Sequence, residues 1–114
     1  LSGKNFYLIN IWSSWCEPCM DESDKLLELK NDTTIMMIGI NYKDKKKNAL
    51  NFIKLYGNPF DKIFVDKQGT ISINFGAYGV PESFLINDDN KVLKKYIGPL
   101  NDEDVYEIKK IIKN

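Results

Sequence analysis

The run Phe6-Tyr7-Leu8-Ile9-Asn10-Ile11-Trp12-Ser13-Ser14-Trp15-Cys16-Glu17-Pro18-Cys19 decides the fold. Its first part, Phe6 to Trp12, is almost continuously apolar, the pattern of a central strand covered on both faces. Residues 17–30 then fit a helix, with Cys19, Met20, Ser23, Leu26 and Leu27 at i+3 or i+4 spacings. Pro18 falls in the first turn, where a missing N–H removes no hydrogen bond. The chain's two cysteines therefore meet at the junction of strand and helix. Thiols so spaced can close a small disulfide ring and open it again. The backbone N–H groups and positive dipole end of the helix favour the first of them as a thiolate.

Outward from this run, Thr34 to Tyr42 reads as a second buried strand rich in Ile and Met. Asp44 suits the N-cap of a helix whose apolar face is Ala49, Phe52, Ile53 and Tyr56, and Gly57 ends it. Lys62 to Asp66 is a short strand, Lys67-Gln68-Gly69 a turn, and Ile71 to Phe75 a brief helical segment. Glu82 to Asn87 and Lys91 to Ile97 bracket Asp88-Asp89-Asn90, which is hairpin chemistry. A last helix begins near Asn101 with acids first and lysines last, and turns Val105, Ile108, Ile111 and Ile112 inward. The order βαβαβ, short helix, hairpin, helix predicts one α/β domain over residues 1–114. It is an αβα sandwich on a mixed five-stranded sheet, with parallel crossovers and antiparallel hairpin strands.

Composition narrows the function. Sixteen basic residues balance sixteen acidic ones, so no net field recruits nucleic acid or an anionic membrane. Histidine is absent, which removes the usual general base and the commonest metal ligand. A lone Cys-x-x-Cys lacks the second pair that a structural zinc needs, and two cysteines do not make a disulfide scaffold. Redox exchange is the leading reading, ahead of an inert structural disulfide or a metal site. Met36 and Met37 suit a buried strand, and Lys45-Lys46-Lys47 a solvated helix start. No apolar run approaches a membrane span. The chain opens at Leu1 rather than methionine, so it is expected to be the soluble part of a longer, anchored or exported protein.

Taken together, the strand feeding Trp-Cys-x-x-Cys and the later Gly79-Val80-Pro81 before a strand resemble the thioredoxin fold. Asn10-Ile11-Trp12-Ser13-Ser14-Trp15-Cys16 and Tyr78-Gly79-Val80-Pro81-Glu82-Ser83-Phe84-Leu85-Ile86-Asn87 resemble the membrane-anchored bacterial reductases of the CcmG/DsbE type and the TlpA/ResA group. The helix and strand between Asp44 and Asp66 match the insertion that group carries in the middle of the fold. The resemblance implies a thiol–disulfide oxidoreductase in which Cys16 is the nucleophile and Cys19 the resolver. It implies a reductant of protein disulfides in cytochrome c maturation, working in the periplasm beside an inner-membrane anchor. Its partners would be apocytochrome c, or a thiol chaperone of it, and a membrane thiol electron donor. No cofactor beyond the Cys16–Cys19 disulfide is implied, and the fragment is expected to be a monomer.

Other residues take supporting roles on this reading. Glu17 raises the Cys16 pKa while the helix start lowers it, and no lysine or histidine lies between the thiols beside Glu17 and Pro18 to drive it far down, which favours a reductant over a strong oxidant. Trp15 shields the disulfide and offers apolar contact, whereas Trp12 belongs to the core. The resemblance implies a cis peptide at Val80-Pro81, letting the Val80 backbone pair with an extended client. Asn10 stands where thioredoxins carry a buried aspartate serving the inner cysteine, and an amide cannot take its proton. Glu22 and Glu82 are the carboxylates left for that task, against the plainer readings of a solvated helix residue and a strand start. Rival functions are a TlpA/ResA-like reductase for a copper-site client, a disulfide oxidase, a Sco-like metallochaperone and a redox-inert binding module.

Overall fold

Strand β1 (Phe6–Trp12) is central because both its faces are apolar. Leu8, Asn10 and Trp12 point to one side, and Tyr7, Ile9 and Ile11 to the other. The computed structural model describes residues 5–113, so the expectation resting on Leu1 lies outside them. Beside β1 run β2 (Ile35–Tyr42) in parallel and β4 (Glu82–Asn87) antiparallel. Outside these lie β3 (Lys62–Asp66), parallel to β2, and β5 (Val92–Ile97), antiparallel to β4. The order β3-β2-β1-β4-β5 is the mixed five-stranded sheet read from the sequence.

Among the described residues, the helices α1 (Glu17–Asp21), α2 (Ser23–Lys30), α3 (Lys46–Tyr56) and α4 (Thr70–Phe75) lie between strands, and α5 (Asp102–Lys113) follows the last one. The main core joins Leu8, Trp12, Met37 and Leu85 of the sheet to Leu26 and Leu29 of α2, Phe52 of α3, and Val105, Ile108 and Ile112 of α5. A smaller core on the opposite face gathers Ile11, Ile40, Phe84 and Ile86, with Phe75 of α4 against them. Ile111 packs at the edge of the main core, partly buried.

Two local expectations are corrected. The helix over residues 17–30 is broken at Glu22, whose φ of −93° and ψ of −2° end α1 and begin α2. Ser23 donates its hydroxyl to the Cys19 carbonyl at 3.2 Å, a back-bond that bends helices. The Glu22 side chain is meanwhile drawn into the interior. The N-cap of α3 is Lys45, not Asp44, because the Asp44 carboxylate is spent mainly on Ser14 and Asn41, as described below. Lys45, Lys46 and Lys47 are exposed as expected.

Gly39 on β2 sits opposite Asn10 on β1. A Cβ there would lie 2.8 Å from the buried Phe60 ring, which stacks on Trp12 at 5.8 Å between centroids. Gly39→Ala is therefore expected to destabilise by about 1–3 kcal/mol through overpacking. The check is a lower urea midpoint at unchanged slope.

Candidate active site

Cys16 and Cys19 form a disulfide. Cys16 caps α1 in extended conformation, and its sulfur accepts the Cys19 N–H at 3.2 Å. Pro18 lies in the first turn, and Glu17 is exposed beside it. Both cysteines are buried in the closed disulfide. Cys16 is 4% exposed and Cys19 2%. The exposure falls instead on the neighbours Trp15, Glu17 and Pro18.

The loop before the cysteines is tied to the end of β2. Ser13 donates its hydroxyl to the Tyr42 carbonyl at 2.7 Å, and Trp15 donates its indole N–H to the Lys43 carbonyl at 3.0 Å. Between them, Asp44 accepts the Ser14 N–H and hydroxyl, both at 2.7 Å. It also accepts the Asn41 amide at 3.0 Å and the Lys45 N–H at 2.8 Å. Burial would raise the Asp44 pKa, but these donors outweigh it and hold the group below its usual range. Trp15 remains 58% exposed and leans toward Tyr42, 6.4 Å between centroids. Trp12 is core, as expected, packed between Phe52 and Phe60.

Beneath the disulfide, Glu22 is fully buried, which overturns the solvated-helix reading. Its Oε1 accepts the Leu100 N–H at 3.0 Å, and its Oε2 accepts the Asn10 amide at 2.9 Å. Burial pushes its pKa from the ordinary 4.5 up to about 7, against the lowering pull of Leu100 and Asn10. Asn10 also donates to the Ser83 hydroxyl at 2.9 Å, so it bridges β1, α2 and β4 rather than bonding locally. Glu22 lines the same small cavity as Cys19.

The Val80–Pro81 peptide is cis, and Val80 packs against the core cluster that contains both cysteines. Glu82 is buried but turned to this loop: its Oε2 accepts the Tyr78 and Gly79 N–H groups at 2.8 and 3.0 Å. Lys95, which sequence reasoning passed over, reaches the Gly76 carbonyl at 2.9 Å and lies 3.5 Å from Glu82 Oε1. Glu82 thus holds the loop, and Glu22 is the carboxyl that shares a space with the inner cysteine. Asp44 and the Ser13–Ser14 pair were also missed; two small hydroxyl residues between two tryptophans were the available signal.

A mixed sheet of this order, with a Cys-x-x-Cys disulfide where the central strand gives way to a helix, defines a thioredoxin-fold thiol–disulfide domain. The chain belongs to the Redoxin family, whose model matches residues 1–112. It is 45% identical over 92 residues to the thiol:disulfide interchange protein CycY of Rhizobium leguminosarum bv. viciae, covering 81% of this chain and 50% of that one. To the thiol:disulfide interchange protein DsbE of Escherichia coli (strain K12) it is 35% identical over 94 residues, covering 82% and 50%. The crystal structure of StoA from Bacillus subtilis shares the fold at a TM-score of 0.76 and 24% identity, covering 96% of this chain and 84% of that one. The chain thus spans about half the length of these curated relatives. Among the described residues no cluster of His, Cys, Asp or Glu could hold a metal, and no helix is long and apolar enough to cross a membrane.

Proposed function

We propose that this domain reduces disulfides in a protein client, with Cys16 as nucleophile, Cys19 as resolver and Glu22 as the acceptor of the Cys19 proton. The observation that carries it is the Cys16–Cys19 disulfide at a helix start, with a buried carboxyl of raised pKa lining the cavity under Cys19. In the reduced domain, the Cys16 thiolate attacks one client sulfur, and the other client sulfur leaves as a thiolate. Cys19 then loses its proton and attacks the Cys16 sulfur. The mixed disulfide breaks, the second client sulfur leaves, and two electrons have passed to the client.

A base is needed at Cys19 because its thiol must ionise away from water, where the charged form is disfavoured. A carboxyl with a pKa near 7 is matched to that transfer, since it can take a proton and give it up again at neutral pH. Glu17, Pro18 and Trp15 shape the outer rim, and Val80, Pro81 and Glu82 form the loop packed near it.

The finer reading, which follows the CcmG/DsbE resemblance, is a reductant for cytochrome c maturation. The client is then the oxidised Cys-x-x-Cys-His segment of apocytochrome c, and a membrane thiol donor re-reduces the domain. The setting is extracytoplasmic, where client disulfides persist, with the whole protein anchored beside the membrane.

Reduced Cys19→Ala domain mixed with an oxidised Cys-x-x-Cys-His peptide tests this. A mixed disulfide at Cys16 is expected to accumulate, and Cys16→Ala is expected to form none. Failure of the Cys19→Ala variant to stall would overturn the assignment. In the intact protein the same trap reports the client, and recovery of a copper-site protein would replace the cytochrome reading.

A further inference from the structure

The sheet has two edges, and the chain treats them differently. β5 is guarded by Lys94 and Lys95 and by a register shift against β4 at Leu85–Ile86, devices that keep a strand from pairing with another chain. β3 has none of these. Its centre is Ile63-Phe64-Val65, three consecutive apolar residues that are 40%, 51% and 61% exposed. Among the described residues no strand pairs with its outer side. The Asp66 carbonyl accepts the Lys43 N–H at 2.9 Å, so the backbone groups of Asp66, Phe64 and Lys62 turn toward β2. Those of Ile63 and Val65, one residue out of phase, turn outward. On one face Ile63 and Val65 line a groove of about 440 Å³ with Ala49, Leu50 and Ile53 of α3, and Leu50 is itself exposed.

We propose that the β3 edge is a dimerisation surface, on which a second copy of this chain adds its own β3 in antiparallel register about Phe64. The occupant is read from the edge itself, Asp61-Lys62-Ile63-Phe64-Val65-Asp66-Lys67, which complements its own reversal. With Phe64 on the two-fold axis, Ile63 meets Val65 of the second copy, and Asp61 meets Lys67 of the second copy. Each contact occurs twice, as an isologous interface requires. The hydrogen-bond phase agrees. Ile63 and Val65 carry the outward N–H and C=O groups, so each 63–65 pair exchanges two backbone bonds, and the two Phe64 rings face each other in the closer position between them. Slipping the register by two residues keeps backbone bonds but sets Asp61 against Val65, or Ile63 against Lys67, and forfeits both charge pairs. Asp61 holds the Met37 N–H at 2.8 Å with one oxygen, and a carboxylate has a second to offer. Lys62 stands opposite Asp66, but that carboxylate is buried and accepts the Ile71 and Ser72 N–H groups, so the selection falls to the outer pair.

Pairing of this kind joins two five-stranded sheets into one. β1, β2 and β3 run parallel, so the two Cys16–Cys19 sites lie at opposite ends of the joined sheet and neither covers the other. Dimerisation is independent of the reductase reading above, and it departs from the monomer expected of the sequence.

Sedimentation of the wild-type domain over a concentration series, with amide hydrogen exchange at Ile63 and Val65, tests this beside Phe64→Lys, Phe64→Glu and Lys67→Glu. Either Phe64 substitution sets like charges face to face on the axis, and an equimolar mixture of the two sets Lys against Glu. The expected results in wild type are a concentration-dependent shift from monomer to dimer and exchange at Ile63 and Val65 about tenfold slower in the dimer. The dimer is expected to be lost in each Phe64 variant alone and to return in their mixture, with disulfide reduction unchanged throughout. Lys67→Glu, beyond the strand end, is expected to weaken the dimer about tenfold by facing Asp61 with a like charge. A wild-type chain that stays monomeric up to about 1 mM overturns the proposal. So does a dimer that persists in both Phe64 variants, or one that their mixture fails to restore. Unweakened association in Lys67→Glu overturns the register. A wild-type monomer whose Ile63 and Val65 amides are protected only on adding an oxidised Cys-x-x-Cys-His peptide overturns the second copy in favour of a client strand.

Discussion

Glu22→Gln is expected to stabilise the oxidised domain at pH 8 by about 2 kcal/mol while making it a poorer reductase, an opposition that only a buried functional charge produces. Glu22 has a higher pKa folded than unfolded, about 7 against its ordinary 4.5. The native state therefore holds the extra proton between those values. Its contribution is fully favourable below about pH 4.5, declines as pH rises toward 7, and is flat above. The whole excursion is about 3 kcal/mol. Glutamine keeps the shape and removes the charge, so the gain over wild type should be greatest above pH 7 and vanish near pH 4.5. Part of the gain is lost because the new amide NH2 meets the Asn10 donor. Urea titrations at pH 4.5 and pH 8 check the sign, and equal differences at both would reject the raised pKa. The Cys19 titration should move in this variant. Glu82→Gln should leave it unmoved, because the Glu82 carboxylate is committed to the 78–79 amides.

That contrast marks where the sequence stopped being readable. Periodicity found every strand of the domain and its helical segments, though not the break between α1 and α2, and strands such as Phe6–Trp12 and Lys62–Asp66 fall on their expected residues. It found them because apolar repeat and turn chemistry act locally. The disulfide pair was legible for the same reason, being a spacing of three. Glu22 and Glu82 could not be ranked, since each is an ordinary carboxylate in an ordinary window. Their difference arises from Leu100 and Asn10 in one case and from the 78–79 loop and Lys95 in the other. Asn10 is seventy-three positions from Ser83, and no local pattern announces that bond. Asp44 misled in the opposite way. It has the composition of an N-cap, but a residue thirty positions earlier, Ser14, outbid the helix for its oxygens.

Asp44→Ala is expected to be the most disruptive surface change near the site. It removes four hydrogen bonds from one carboxylate, two of them to Ser14 and two to its own turn at Asn41 and Lys45. Charged hydrogen bonds carry more than neutral ones, and water at this half-buried position compensates in part, so the loss of stability should be about 2–3 kcal/mol. The pH dependence has the sign opposite to that of Glu22. Asp44 is held below its usual range in the fold, so its contribution is present above the unfolded pKa of 3.8 and is lost as pH falls through the folded value. A wild-type acid transition steeper than that of the variant is the expected signature. The redox consequence follows from where the bonds end. Ser14 lies two residues before Cys16, and the Trp15 indole is fixed to the same turn through the Lys43 carbonyl. Freeing this segment lets Cys16 wander from Cys19 once reduced, which lowers the effective concentration of one thiol at the other. The equilibrium constant for forming the disulfide against glutathione should fall about tenfold, or about 30 mV toward a weaker reductant. Asp44→Asn retains an acceptor oxygen for Ser14 without the charge, and recovery of most of the potential in that variant identifies positioning, rather than charge, as the cause. An Asp44→Ala potential equal to wild type would show that Asp44 serves the fold and not the thiols.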